Sequence, residues 1–367
     1  RLVDQALANV RQQKGLAAFH LTPLWAEPYV IVHVSDASAS PYSLYGVPPG
    51  AERDARYDAL VTKRKEVERR LADTAHIYTA LASEYGRLTG AGGLTDEWGG
   101  RPDLAKSERS FRDGAPLVVL LYDSGPTWND AVLGSAGLRT PPGVRGFFEP
   151  AVGRIHLLVG EPGESTLAFE QSKLIHEGVH PLQYWYRRQA RGWQRPAPRQ
   201  GWFEEGLAEY LSGVERRPND EIVFTGFNHT RVAGMQQLAK ALKTRGAEYP
   251  LFPLETLVSF GSYAEVMRWM QEHGRLPGGI GVAAFFEQAW ALTHFLREAE
   301  DGRYADAHRK LLEQSMTLTP PAEPFAAFRR TLGLDSAEDV ADFEERFHAY
   351  VRKRVMRLDP RGPQFND

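Results

Sequence analysis

The sequence predicts an α+β fold: an N-terminal part with a mixed sheet and helices, and a C-terminal all-α part. Three observations predict it. Short β-branched or aliphatic runs bounded by Pro and Gly occur in the first half, and no convincing strand follows Gly163. Helical spacing covers most of the chain beyond that point. The composition, 42% hydrophobic and 25% charged over 367 residues, is that of an ordinary globular protein. That length suits one large or two modest domains.

Taken in order, Leu2–Lys14 carries apolar residues at helical spacing. Tyr29–Ser35 (YVIVHVS) is β-branched and follows Pro28, so it reads as a strand. Pro41–Gly50, with Pro48 and Pro49, reads as a loop. Glu52 to Leu88 reads as one long amphipathic helix with Val67, Leu71, Ala75, Tyr78 and Leu81 along one face. Its KRKEVERR run is expected to be a solvated face. Gly90–Gly100 is Gly-rich but does not join a strand to a helix, so it is no phosphate loop. Pro116–Tyr122 (PLVVLLY) reads as a buried strand followed by a short helix. Gly146–Glu149 and Arg154–Val159, divided by Pro150 and Gly153, read as a hairpin. Helical patterns then cover 166–190, 202–215, 230–245, 261–273, 283–300, 303–315 and 337–356, without an internal repeat. The expected division is 1–165, an α+β subdomain, and 166–367, a helical subdomain, together forming one catalytic unit.

Several function classes fall away. A formal net charge of −3 leaves no basic footprint for nucleic acid. The longest apolar runs, Ala115–Tyr122 and Ile155–Val159, are too short to cross a bilayer, so no membrane span is expected. The absence of Cys excludes disulfide scaffolds, thiol proteases and iron–sulfur clusters. A start at Arg1 together with zero Cys motivates an expectation of export, periplasmic or secreted. No feature of the sequence addresses the oligomeric state.

The chemistry concentrates in His176-Glu177-Gly178-Val179-His180, on the helix expected to open near Ser165 or Thr166. Residues four apart share a helix face, so His176 and His180 can present ring nitrogens to one metal ion. Glu177 can then act on a water that the ion activates. With 11 His in the chain, chance produces this string roughly once in forty such sequences. A tetrahedral catalytic zinc needs a third protein ligand and keeps its last position for water. The segment Trp202-Phe203-Glu204-Glu205-Gly206-Leu207-Ala208-Glu209-Tyr210 offers carboxylates for it. Glu205 and Glu209, four apart, share one face; Glu205 would bind the ion and Glu209 would accept the free N–H of a ligand imidazole. Glu204 points about 100° away and is expected to face solvent.

HEGVH followed by WFEEGLAEY resembles the gluzincin zinc metallopeptidases, the thermolysin-like and aminopeptidase clan, and in particular bacterial peptidase-MA-like domains. The resemblance extends more weakly to Phe286-Glu287-Gln288-Ala289-Trp290-Ala291-Leu292, and spans about residues 25–300. It implies one zinc ion held by His176, His180 and Glu205, Glu177 as general base, Glu209 behind His176, and peptides or proteins as substrates. It also implies that the helical subdomain closes an active-site cleft. Two departures stand out. Pro181 follows the second His and should kink the helix after both ligands. Phe286 lies where many relatives carry a Tyr whose hydroxyl stabilises the oxyanion; Tyr263 and His229 are the candidate replacements.

Other residues have a simpler role beside a functional one. The strand Arg154–Val159 could pair with an extended peptide, and its His156 could face the cleft, although packing is the simpler role. Five Arg between Arg187 and Gly201 suit a solvated loop better than an acidic-substrate site. His294 and Glu298 form a second i, i+4 pair with no third ligand. Trp185, Tyr186, Trp193 and Trp202 suit a core. The sequence thus points to a metallopeptidase, with endopeptidase favoured because no amine-binding acidic motif is evident. The alternatives are a zinc-binding module without turnover, for which Phe286 argues, and a metal-free helical interaction module.

Overall fold

A computed structural model gives the structure of the chain and describes residues 2–12, 16, 19–26, 29–35, 44, 47–89, 117–136, 144–149, 153–159, 167–191, 201–243, 252–273, 278–317 and 323–358. The Gly-rich 90–100 stretch, the expected helix opening at 165–166 and residues 192–200 lie outside them. The chain divides into two compact units, Arg1–Leu182 and Gln183–Asp367. The fold is mixed α+β, as the sequence predicts.

In the first unit, helix α1 (Leu2–Arg11) precedes strands β1 (His20–Ala26) and β2 (Tyr29–Ser35). The long helix α2 (Ala51–Thr89) leads to β3 (Leu117–Tyr122) and α3 (Gly125–Ala136). Strands β4 (Gly146–Glu149) and β5 (Arg154–Leu158) follow, and helix α4 (Leu167–Arg191) carries the chain out of the unit. The five strands form one mixed sheet in the order β1-β2-β3-β5-β4. The inner strands β2, β3 and β5 run parallel, and the outer pairs β1–β2 and β4–β5 are antiparallel. Near-continuous aliphatic runs in β2 and β3 match burial on both faces.

One face of the sheet presents Val30, Val32, Val34, Val118, Leu120 and Tyr122 to α1 and α3, through Ala6, Val10, Trp128 and Val132. On the other face Tyr29 stacks on Tyr78 of α2, ring centroids 4.5 Å apart, and donates its hydroxyl to the Gly178 carbonyl of α4 at 2.9 Å. The charged run of α2 is only partly solvated. Lys63 pairs with the partly buried Asp123 at 2.7 Å, and Arg70 donates to the Val159 carbonyl at 3.2 Å and pairs with Glu66 at 2.7 Å. Two charges of the run, Lys63 and Arg70, therefore reach the carboxyl ends of β3 and β5.

The second unit opens with α5 (Gly201–Leu211). The expectation of an all-α rear part is corrected here. Strands β6 (Val214–Arg216) and β7 (Ile222–Phe224) form an antiparallel hairpin, so the helix expected over 202–215 ends at Leu211. Gly213 and Gly226 enforce that ending: Thr225 donates its backbone N–H to the Gly213 carbonyl at 2.8 Å, and Gly226 adopts φ +72°. Helices α6 (His229–Lys243), α7 (Leu254–Ser259), α8 (Tyr263–His273) and α9 (Gly278–Glu298) follow. Three more complete the unit: α10 (Ala305–Thr317), α11 (Pro324–Leu332) and α12 (Ala337–Lys353). Helix α12 starts at a capping box in which the Ser336 hydroxyl accepts from the Asp339 N–H and the Asp339 carboxylate accepts from the Ser336 N–H. Among the described residues no helix is long and apolar enough to cross a membrane.

The core of the second unit contains a histidine with no accommodation for charge. His308 is fully buried beside Phe203, and neither ring nitrogen has a hydrogen-bond partner among the described residues. Burial, reinforced by Arg297, pushes its pKa down to about 3, against about 6.5 unfolded. Burial likewise lowers His33 and His294 to about 4. The fold accepts these rings neutral and the unfolded chain accepts their protons. Stability is therefore full above about pH 6.5 and falls as pH drops toward the folded values, by about 1.4 kcal/mol per pH unit per ring. Urea unfolding of His308→Leu should show an acid limb flatter by one ring's share. An unchanged slope would contradict this origin of the acid sensitivity.

Candidate metal centre

Helix α4 presents His176 and His180 on one face, with their Nε2 atoms 3.3 Å apart and the rings nearly perpendicular at 83°. Two imidazole nitrogens bound to one tetrahedral zinc at about 2.0–2.1 Å would stand about 3.3–3.4 Å from each other. The pair thus has the separation that shared coordination requires. The helix continues through Pro181 to Arg191, so both histidines lie on helix ahead of the proline.

Close packing fixes this stretch of α4. An added Cβ at Gly178 would lie 2.3 Å from Tyr78 Cε1 and 2.8 Å from Leu81 Cδ2. The glycine between the histidines therefore lets α4 lie against α2. Gly146 of β4 plays a similar part for Glu177, since a Cβ there would lie 3.0 Å from Glu177 Cγ. Glu177 thus sits against the outermost strand of the sheet. Its negative charge adds to burial in holding the Tyr78 phenol well above its ordinary pKa.

Helix α5 is buried from Trp202 to Leu211. Glu205 is 7% exposed, and its carboxylate and the ring nitrogens of His176 and His180 lie within 4.8 Å of one another. This is the group among the described residues whose donors suit a metal ion. Two imidazoles and one carboxylate form the donor set of a catalytic zinc rather than of the hard, oxygen-bound Ca²⁺ or Mg²⁺.

Glu209, one turn beyond Glu205, accepts from Arg231 at 2.7 Å and from the Asn228 side chain at 2.8 Å. Those two donors leave acceptor capacity on a carboxylate, which has about four lone-pair positions. Arg231 and Asn228 carry no sequence signal: each sits near the start of an ordinary helix, and only the packing of α6 beside α5 brings them to Glu209. Glu204, expected in solvent, is 3% exposed. No face of α5 meets solvent, since every residue from Trp202 to Leu211 is buried.

Arg231 also lies over the Phe286 ring, 5.0 Å from its centroid, and Tyr263 packs on the same ring at 5.5 Å. His229 instead packs edge-on against Phe227 at 4.6 Å. Tyr263, one of the two expected replacements for the phenol, is thus in ring contact with Phe286.

The expected pairing of Arg154–Val159 with an extended peptide is corrected, and His156 takes the simpler, packing role. Arg154–Val159 is not an edge: β5 lies between β3 and β4, so β4 is the outer strand. His156 is fully buried, stacked 4.7 Å from Phe147 and hydrogen-bonded to Tyr122 at 2.9 Å and Glu149 at 3.2 Å. Cross-strand pairing puts it with Phe147 on the face packed by α1 and α3, opposite Tyr29 and Gly178. His294 hydrogen-bonds Tyr350 at 2.8 Å, and Glu298 accepts from Tyr210 at 2.5 Å, so that pair serves packing. Trp202 is buried in the core, whereas the side chains of Trp185, Tyr186, Trp193 and the arginines of 187–199 lie outside the described residues.

No family model and no curated protein matches this chain.

Proposed function

We propose that the chain is a zinc-dependent metallopeptidase in which His176, His180 and Glu205 hold one zinc ion. The observation that carries this reading is the 3.3 Å approach of the two Nε2 atoms, with the Glu205 carboxylate close by. Zinc, when bound, supplies a Lewis acid for the scissile carbonyl and makes water acidic enough to give up a proton near neutral pH. Glu177 takes that proton as the water oxygen adds to the carbonyl carbon, then passes it to the nitrogen as the C–N bond breaks. Glu209, steadied by Arg231 and Asn228, orients the His176 ring through its free N–H. Tyr263 supplies the phenol that Phe286 lacks.

Strand β4 favours an extended peptide as substrate. It is the outer strand of the five-stranded sheet among the described residues, and Gly146 brings its backbone against Glu177, where an extended chain could lie beside the base. Internal peptide bonds suit this arrangement, which favours an endopeptidase.

Purification without a metal-binding tag, followed by metal analysis, should give one zinc per chain. A peptide-library digest should show cleavage that a chelator removes and added zinc restores. Zinc without cleavage would favour the second reading, a zinc-stabilised binding protein, which Phe286 supports. Protein that neither retains nor takes up zinc would overturn both.

A further inference from the structure

The second unit buries an unbalanced set of charges beside α5. Glu209 is 3% exposed and Glu287, on α9, is 4% exposed, and both face the single guanidinium of Arg231 on α6. Tyr263 of α8 is the other titratable group acting on Arg231. Arg231 is committed to Glu209 at 2.7 Å, whereas Glu287 Oε2 has no hydrogen-bond partner among the described residues. The Glu287 carboxyl occupies space left by Gly234, where an added Cβ would lie 2.0 Å from Oε1. Two buried carboxylates beside one cation cannot both ionise cheaply, so one of them retains a proton.

We propose that Glu287 is a proton-carrying positioning residue, which competes with Glu209 for Arg231 and releases its proton to solvent when a divalent cation binds at His176, His180 and Glu205. This rests on the metal reading above. The direction follows from linkage. Bound cation charge, and a ligand imidazole N–H engaging Glu209, both reduce the demand of Glu209 on Arg231. The guanidinium is then freer to stabilise an ionised Glu287. By reciprocity, ionising Glu287 strengthens cation binding by the same factor. Burial, opposed by Arg231 and reinforced by Glu209, pushes Glu287 up to about 7, where such a proton can leave at neutral pH.

Calorimetric titration of zinc into the metal-free full chain, in buffers of different ionisation enthalpy, counts the protons released. At about pH 7 the wild type should release up to roughly half a proton more than Glu287→Gln, and the excess should grow toward about pH 6. Protons from the histidine ligands cancel in this comparison. Equal counts with zinc bound would overturn the role of Glu287 and leave the metal reading intact. No zinc binding by the wild type would overturn the metal reading and this inference with it. Infrared spectroscopy of the wild type needs no variant: the protonated-carboxyl band should weaken on zinc addition. A band unchanged by bound zinc would overturn the proposal even if Glu287→Gln did not fold.

Discussion

Replacing Glu177 by Gln is expected to lower peptide cleavage by at least about 10³-fold while zinc content stays at one per chain. A positioned general base contributes about 10²–10⁴ in rate, and here one carboxylate both accepts the proton from water and delivers it to the leaving amine. Glutamine keeps the shape that fits beside Gly146, where the backbone of β4 comes within van der Waals range of the side chain. Glu177 is not among the three proposed ligands, so metal should remain. Turnover of a peptide chosen from the library digest, with zinc measured on the same samples, separates the effects. Cleavage at the wild-type rate would remove Glu177 from the mechanism. Loss of zinc together with cleavage would make it a metal-supporting residue.

Local chemistry decided which parts of this architecture were legible in the sequence. Tyr29–Ser35 and Gly146–Glu149 form strands over the residues expected, because Pro and Gly bound β-branched or aromatic runs there. His20–Ala26 was missed because Pro23 interrupts it. It is an outer strand among the described residues, where a missing N–H need not break the ladder, and Pro23 stands opposite Val32 of β2. The β6–β7 hairpin was hidden by brevity, three residues per strand after a helix whose periodicity runs on through Val214. Helices α7 and α11, six and nine residues long, are too short for periodicity to mark them. At the site, His176, Glu177 and His180 were legible because helical geometry alone relates them. Arg231, Asn228 and Glu287 belong to helices brought beside α5 by tertiary packing, which no spacing along the chain encodes.

Gly178→Ala should destabilise the chain by about 1–3 kcal/mol, at the upper end of that range, and lower its affinity for zinc. Intrinsic propensity argues the other way, since alanine in a helix interior is favoured over glycine by about 0.8–1.0 kcal/mol. Packing decides the sign. The new methyl would lie 2.3 Å from Tyr78 Cε1 and 2.8 Å from Leu81 Cδ2, where ordinary contacts begin near 3.4 Å. Neither neighbour can yield easily: both are fully buried, and Tyr78 is stacked on Tyr29. Relief must come from α4 moving off α2, which strains the Tyr29 hydrogen bond to the Gly178 carbonyl and displaces the two imidazoles on either side. A midpoint lowered by about 2–4 °C per kcal/mol, in metal-free protein, would register the packing cost apart from any metal effect. Adding Tyr78→Leu should recover part of the loss if the clash is its source, because the two sites then couple. Strict additivity would place the strain elsewhere, and a gain in stability would mean that α4 does not depend on close approach to α2.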